Sequence, residues 1–121
     1  MAWNFTSDTP VYLQISDKIK KQILSGEYKL GEQIPTVRNL AVVAAVNPNT
    51  VQHAFVQLEK DGIIKSNGTA GRFVTNDQTV VDKCRIQMAQ NIVDKFIREM
   101  KELSFTQEEA VLMINGKEAE M

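Results

Sequence analysis

Two neighbouring stretches constrain this chain more than any others: Asn47-Pro48-Asn49-Thr50-Val51-Gln52-His53-Ala54-Phe55 and, starting twelve residues earlier, Pro35-Thr36-Val37-Arg38-Asn39-Leu40-Ala41. Asn47 is a strong helix N-cap, and Pro48 suits the first helical turn, where its missing N–H costs nothing. Behind that start Val51, Ala54, Phe55 and Leu58 recur at i, i+3, i+4 and i+7, which predicts one apolar helix face. The other side carries Asn49, Gln52, His53, Val56 and Lys60, with no carboxylate until Glu59 and Asp61 at the far end. Amides set a donor beside an acceptor, the arrangement that reads a base edge in a major groove. Upstream, Thr36 caps a shorter helix with Val37, Leu40 and Ala41 inward and Arg38 outward. Two such helices joined by a tight turn predict a helix-turn-helix, and the second helix implies duplex DNA as ligand.

The flanking segments extend this unit. Thr9-Pro10 is an N-cap and first-turn proline, followed by a helix that buries Tyr12, Ile15, Ile19 and Ile23 and ends at Ser25-Gly26. Trp3 and Phe5 are costly to leave in water, so the N-terminal arm packs on the body or on a partner chain. Residues 27–35 read as a loop anchored by Leu30 and Ile34. After Asp61-Gly62, Ile63-Ile64-Lys65-Ser66 and Arg72-Phe73-Val74-Thr75 read as two short strands, with positive φ angles supplied by Asn67-Gly68 and Gly71. A hairpin directly after the second helix of the motif is a wing. The expected fold is mainly α with a small β wing: a winged helix-turn-helix over residues 1–76 and a helical dimerisation tail over residues 77–121.

In that tail Val81, Met88, Ile92, Phe96, Met100 and Leu103 keep helical spacing, and Ala89, Val93 and Ile97 widen the apolar face. Ser104-Phe105 breaks the run, and Thr106-Gln107-Glu108-Glu109 is a capping box for a last short helix. So wide a face needs cover. It either folds back on the winged domain or pairs with a second copy, and a symmetric dimer, which doubles the DNA contacts, is the reading we adopt. Met88, Phe96 and Met100 are assigned to dimer core rather than to an effector pocket between subunits.

Charge and composition narrow the function. The net charge of −1 divides into eight basic and six acidic residues over 1–76 and six basic and nine acidic over 77–121, so the basic excess lies in the unit expected to meet DNA. No apolar run reaches the roughly 18–20 residues of a membrane span, and the first residues do not resemble an export signal, so a cytoplasmic location is expected. The single cysteine, Cys84, cannot form an internal disulfide and reads as an inert helix-surface thiol. One histidine, no Cys-x-x-Cys pair, no glycine-rich phosphate loop and no carboxylate pair beside a base argue against an enzyme, a metal site or a cofactor. The competing class is a protein-interaction module whose helical tail docks a partner, since winged helices serve several functions.

These residues carry a family resemblance. Pro10-Val11-Tyr12-Leu13-Gln14-Ile15 with Ile19, Ile23 and Gly26, then Leu30-Gly31-Glu32-Gln33-Ile34-Pro35-Thr36-Val37-Arg38-Asn39-Leu40-Ala41, resembles the start of a GntR-family transcription regulator. Asn47-Pro48-Asn49-Thr50-Val51, Ala54, Leu58-Glu59, Gly62-Ile63-Ile64 and Gly71-Arg72-Phe73-Val74 continue the match, and the short tail is similar to the YtrA-type branch. The resemblance implies a dimeric bacterial repressor, often of transporter operons, on a palindromic operator. It implies DNA contacts from Arg38 and the start of the recognition helix, with the wing tip near a minor groove. Candidate DNA-binding residues are therefore Thr36, Arg38, Asn47, Asn49, Thr50, Gln52, His53, Gly71 and Arg72. Arg38 read without the resemblance is either a surface ion-pair residue or a phosphate or guanine contact, and Asn47 either caps only or also touches DNA. The chain departs from the family pattern at His53, where a basic residue is usual, and in Asn67-Gly68-Thr69-Ala70-Gly71, which lacks the customary arginine before the glycines. Arg72 is the expected substitute for that charge.

Overall fold

The computed structural model describes residues 3–117. Five helices and one hairpin follow in the order α1 (Val11–Leu24), α2 (Val37–Ala44), α3 (Pro48–Lys60), β1 (Ile64–Ser66), β2 (Arg72–Val74), α4 (Gln78–Glu102) and α5 (Gln107–Ile114). The chain divides into two compact units, residues 1–84 and 85–121, so the division lies past the boundary expected after residue 76. The reason is the start of α4. Val80, Val81 and Cys84 pack against the core of the first unit. Val81, expected on the dimerisation face, is only 6% exposed and is corrected to a core residue of that unit.

The first unit is a winged helix-turn-helix. Val51, Ala54, Phe55 and Leu58 are fully buried, with Ile15, Ile19 and Ile23 of α1 and Leu40 and Ala41 of α2 in the same cluster. Both predicted caps of the motif are formed: at the head of α2 the Thr36 hydroxyl accepts from the Asn39 N–H (3.1 Å), and at the head of α3 the Asn47 side-chain oxygen accepts from the Asn49 N–H (2.8 Å). The start of α1 differs from expectation. Pro10 rather than Thr9 is its N-cap, without a side-chain hydrogen bond, and the Thr9 carbonyl accepts from the Gln14 amide (2.8 Å). Gln14 also pairs with both the N–H and the carbonyl of Thr6 (2.9 Å each) and so straps the arm to α1. Trp3 and Phe5 accordingly pack on the body of this unit, with the Lys18 ammonium 4.4 Å from the Trp3 ring centre.

The wing pairs antiparallel with Ile64 opposite Val74, Lys65 opposite Phe73 and Ser66 opposite Arg72. Its tip is one turn of 3-10 helix over Gly68–Ala70. Gly68 and Gly71 take positive φ as expected, but Asn67 sits at −126° and does not. The stretch read as a plain loop before α2 has a second role. The Val74 N–H donates to the Glu32 carbonyl (2.8 Å) and the Ile34 N–H to the Arg72 carbonyl (3.0 Å), so these residues line the free edge of β2. That pairing decides which anchor is buried. Ile34 is 3% exposed, whereas Leu30, just before the paired residues, is 42% exposed and anchors nothing.

All five helices end in one hydrogen-bonding pattern. A residue of positive φ sends its N–H back three residues, and its successor sends its N–H back five: Gly26 and Glu27, Ala45 and Val46, Gly62 and Ile63, Ser104 and Phe105, Gly116 and Lys117. This is the Schellman arrangement, and its left-handed position favours glycine. Ala45 (φ 58°) and Ser104 (φ 67°) occupy it with a Cβ that crowds the following carbonyl. The hydrogen bonds outweigh that strain, but the strain remains.

In the second unit Ala110 is the one fully buried residue among those described, while Ile92, Leu103 and Ile114 are 61–68% exposed. The Thr106–Glu109 capping box is formed from both sides, at 3.1 and 3.0 Å.

Two outcomes follow. Ala45→Gly and Ser104→Gly each relieve left-handed strain, less the extra unfolded-state entropy of glycine, and each should stabilise by about 0.5–1 kcal/mol, seen as a rise of a few degrees in Tm. The second concerns Asp77, which precedes α4. Its carboxylate accepts from the Thr79 hydroxyl (2.6 Å) and the Thr79 N–H (2.9 Å), and these bonds hold its pKa below the usual carboxylate value. A pKa lower in the folded than in the unfolded state stabilises above the unfolded value, and that stability is lost as pH falls through the folded one. Acid titration monitored by circular dichroism should therefore show a shallower low-pH loss of stability in Asp77→Asn than in the wild type.

Candidate nucleic-acid interface

α3 presents two opposed faces because its apolar residues follow the helical repeat without interruption. While Val51, Ala54, Phe55 and Leu58 are buried, Asn49, Gln52, His53, Val56 and Lys60 are exposed on the other side. Thr50 is half-buried at the edge between the faces. Asn47 caps α3 through its side-chain oxygen. Pro48 has no N–H, and the Asn49 and Thr50 N–H groups are taken by the Asn47 side chain and carbonyl (2.8 and 2.9 Å), so what the head of α3 offers an anion is the partial positive charge of the helix dipole.

Arg38 lies exposed on α2, and no described residue forms an ion pair with it. Thr36 is exposed at the head of the same helix, its hydroxyl already engaged in capping. The structure thus brings Thr36 and Arg38 of one helix and Asn47, Asn49, Thr50, Gln52 and His53 of the next onto the two elements of one motif.

Arg72 is placed differently from expectation. Its Nε donates to the Glu59 carboxylate at 2.6 Å, and its guanidinium lies 5.0 Å from the Phe55 ring centre. The Ser66 hydroxyl donates to the same Glu59 oxygen at 3.3 Å. Glu59 therefore ties both wing strands to α3, and the arginine assigned to the wing's charge is a bracket between wing and recognition helix. Gly71 is likewise explained by backbone demand. At φ 112° it excludes a side chain, and a Cβ there would lie 2.8 Å from the Gln33 amide, whose nitrogen donates to the Ala70 carbonyl (2.8 Å). Gln33 and Glu59 thus set the wing from its two sides.

Two pairs fix α1 against α3. The Lys20 ammonium meets the Asp61 carboxylate at 2.8 Å, and the Tyr12 ring stacks on His53 with centres 3.5 Å apart and planes 7° from parallel. Both pairs join residues with the same offset in sequence, so the two helices run alongside each other in one direction. The helical repeat of α1 predicts Tyr12 as a core residue, and local sequence indicates no partner for His53. Tyr12 is half-buried, and its position one turn ahead of Ile15, at the open end of the helix, was the available signal.

No helix among the described residues is long and apolar enough to cross a membrane, and none of their His, Cys, Asp and Glu side chains cluster as a metal site would require.

Comparison with known proteins gives this arrangement its context. A family profile described as "Bacterial regulatory proteins, gntR family" matches residues 11–74. An uncharacterised HTH-type transcriptional regulator, YhcF of Bacillus subtilis, is 34% identical over 105 residues, 87% of each chain. The HTH-type transcriptional repressor YtrA of the same organism is 35% identical over 92 residues, 75% of this chain and 71% of its own length. A solved GntR-family transcriptional regulator from Listeria monocytogenes superposes with a TM-score of 0.85 at 31% identity, covering 94% of this chain and all of that one. With the α3 face, the wing and the family profile in agreement, the chain belongs to the GntR family of bacterial transcription regulators, DNA-binding proteins rather than enzymes.

Proposed function

We propose that this regulator acts as a dimeric repressor that sets α3 of each subunit in the major groove of one half of a palindromic operator. The observation that carries the reading is the exposed, carboxylate-free start of α3. Asn49 and Gln52 offer paired donors and acceptors to base edges, and His53 lies one turn from Asn49 on the same side. Thr36, Arg38, Asn47 and Thr50 hold phosphates around that contact, and the turn at Gly71 brings the wing tip toward a minor groove. Arg72 contributes by holding the wing.

Dimerisation is assigned to the second unit, where Met88, Ile92, Phe96, Met100 and Leu103 leave more apolar surface exposed than a stable helical element tolerates. A two-fold partner covers this surface and sets two recognition helices about 34–36 Å apart, or a multiple of that distance, as a palindrome requires. Repression is supported by the relative named as a transcriptional repressor, and a transporter-type operon as target by the YtrA-type resemblance.

Selection of duplexes from a randomised pool, followed by titration of the selected site, tests the DNA reading. If the dimer neutralises about 6–10 phosphates, affinity should fall about 10³–10⁵-fold between 50 and 200 mM salt. Gln52→Ala should leave Tm unchanged and cost about 1–3 kcal/mol per half-site on the selected duplex, with non-specific binding almost untouched. Val51→Asp should abolish both by burying a carboxylate in the core. Unaltered sequence preference after joint replacement of Asn49 and Gln52 would overturn the assignment of this face.

The oligomer is tested separately. Ile92 is 61% exposed, so Ile92→Glu should leave the subunit folded while shifting sedimentation at micromolar concentration from dimer to monomer. A wild type that sediments only as monomer overturns the dimer.

A further inference from the structure

The Tyr12–His53 stack joins a residue packed at the edge of the core to one of the candidate DNA contacts. His53 stands on the exposed face of α3 between Gln52 and Ala54, and an exposed side chain ordinarily exchanges rotamers on the picosecond-to-nanosecond scale. Here one face of its imidazole is covered by the Tyr12 ring, with centres 3.5 Å apart and planes 7° from parallel. A flat contact of this kind leaves the ring's other face and its nitrogen-bearing edge open. Beside the pair lies a cleft of about 340 Å³ lined by Val11, Tyr12, Asn49, Thr50 and His53, which joins the head of α1 to the part of α3 assigned to base contacts.

The stack is also anchored. The Lys20–Asp61 ion pair holds the same two helices farther along, so Tyr12 cannot slide relative to His53 without breaking a second contact. His53 is thus a short ring on a fixed support.

We propose that Tyr12 is a positioning residue that presents the edge of the His53 imidazole to a base in the major groove, so that the pair sets one base preference in each half-site. The proposal rests on α3 being the DNA-reading helix. An imidazole edge carries a donor and an acceptor, and a ring ordered before binding gives up little further freedom on contact. Tyr12 acts through His53, so its phenol ring is required and its hydroxyl is not.

Selection from a randomised duplex pool by wild type, Tyr12→Phe, Tyr12→Leu, His53→Ala and the Tyr12→Leu/His53→Ala double variant tests this. Tyr12→Leu keeps apolar cover over the core but has no flat ring, and thermal melting verifies that each variant folds. Tyr12→Leu and His53→Ala should each lose base preference at the same half-site position. Each should bind the wild-type site about 5–100-fold more weakly, with the double variant no weaker than the worse single one. Tyr12→Phe should behave as wild type. His53 is the only histidine, so its ring protons are identifiable by NMR without assignment work; the stack shifts them upfield in wild type and Tyr12→Phe, and not in Tyr12→Leu.

Additive losses, a Tyr12→Phe defect equal to that of Tyr12→Leu, or weakening spread evenly over all sequences would overturn the proposal in favour of independent backbone contacts. Ring protons unmoved by Tyr12→Leu would overturn it as well. A wild type that enriches no sequence removes the DNA reading of α3 itself, whereas one that enriches a site indifferent to His53 removes only the role of the pair.

Discussion

Burial of one face of α3 is the constraint on which the rest of the first unit depends. Val51, Ala54, Phe55 and Leu58 lie in the same core as Ile15 and Ile19 of α1, Leu40 of α2 and Ile64 of β1. Each large side chain there is worth about 1.5–3 kcal/mol of removal from water. Because those four residues leave no rotational freedom about the helix axis, the opposite face is determined as strictly as the buried one. Asn49, Gln52 and His53 point outward for the same reason that Phe55 points inward. A regulator that reads base edges needs this coupling, since a rotation of one residue position would carry the amides out of the groove.

Charge is used around that helix mainly to hold parts in place. Two cations that could have served DNA directly are engaged internally: Lys20 by Asp61, and Arg72 by Glu59. Both pairs are partly exposed, where such contacts contribute at most about 1 kcal/mol, so their weight lies in geometry rather than stability. Glu59 joins wing to recognition helix, and Asp61 joins the end of that helix to α1. The carboxylates that break the polar character of α3 near its C-terminal end are thus the ones that fasten it. The start of the helix is left free of acid.

The repeated helix ending serves the same economy. Each of the five described helices closes its last carbonyls with a left-handed residue and turns at once, which keeps the turn between α2 and α3 tight. At three of the five ends glycine occupies the position, and at Ala45 and Ser104 it does not. Ala45 lies in the helix-turn-helix turn itself, where the strain is retained within the element that sets the angle between α2 and α3.

Local sequence determined the elements and the two faces of α3, because caps, apolar period and turn glycines act over a few residues. Thr36, Asn47-Pro48, the Thr106–Glu109 box and the Val51 to Leu58 repeat each specify a structure that their neighbours suffice to build. What only the tertiary structure decided is which long side chains meet across the chain. Arg72 was legible as a cation but not as the partner of Glu59, Tyr12 as apolar but not as the support of His53, and Val81 as helical but not as core. Residues 32–34 carry no strand pattern of their own and pair with β2 only because the wing lays its free edge beside them. Such contacts depend on the register in which whole elements dock, and that register is set by the shape of the packed core, a property of the assembled unit that no short window of sequence contains.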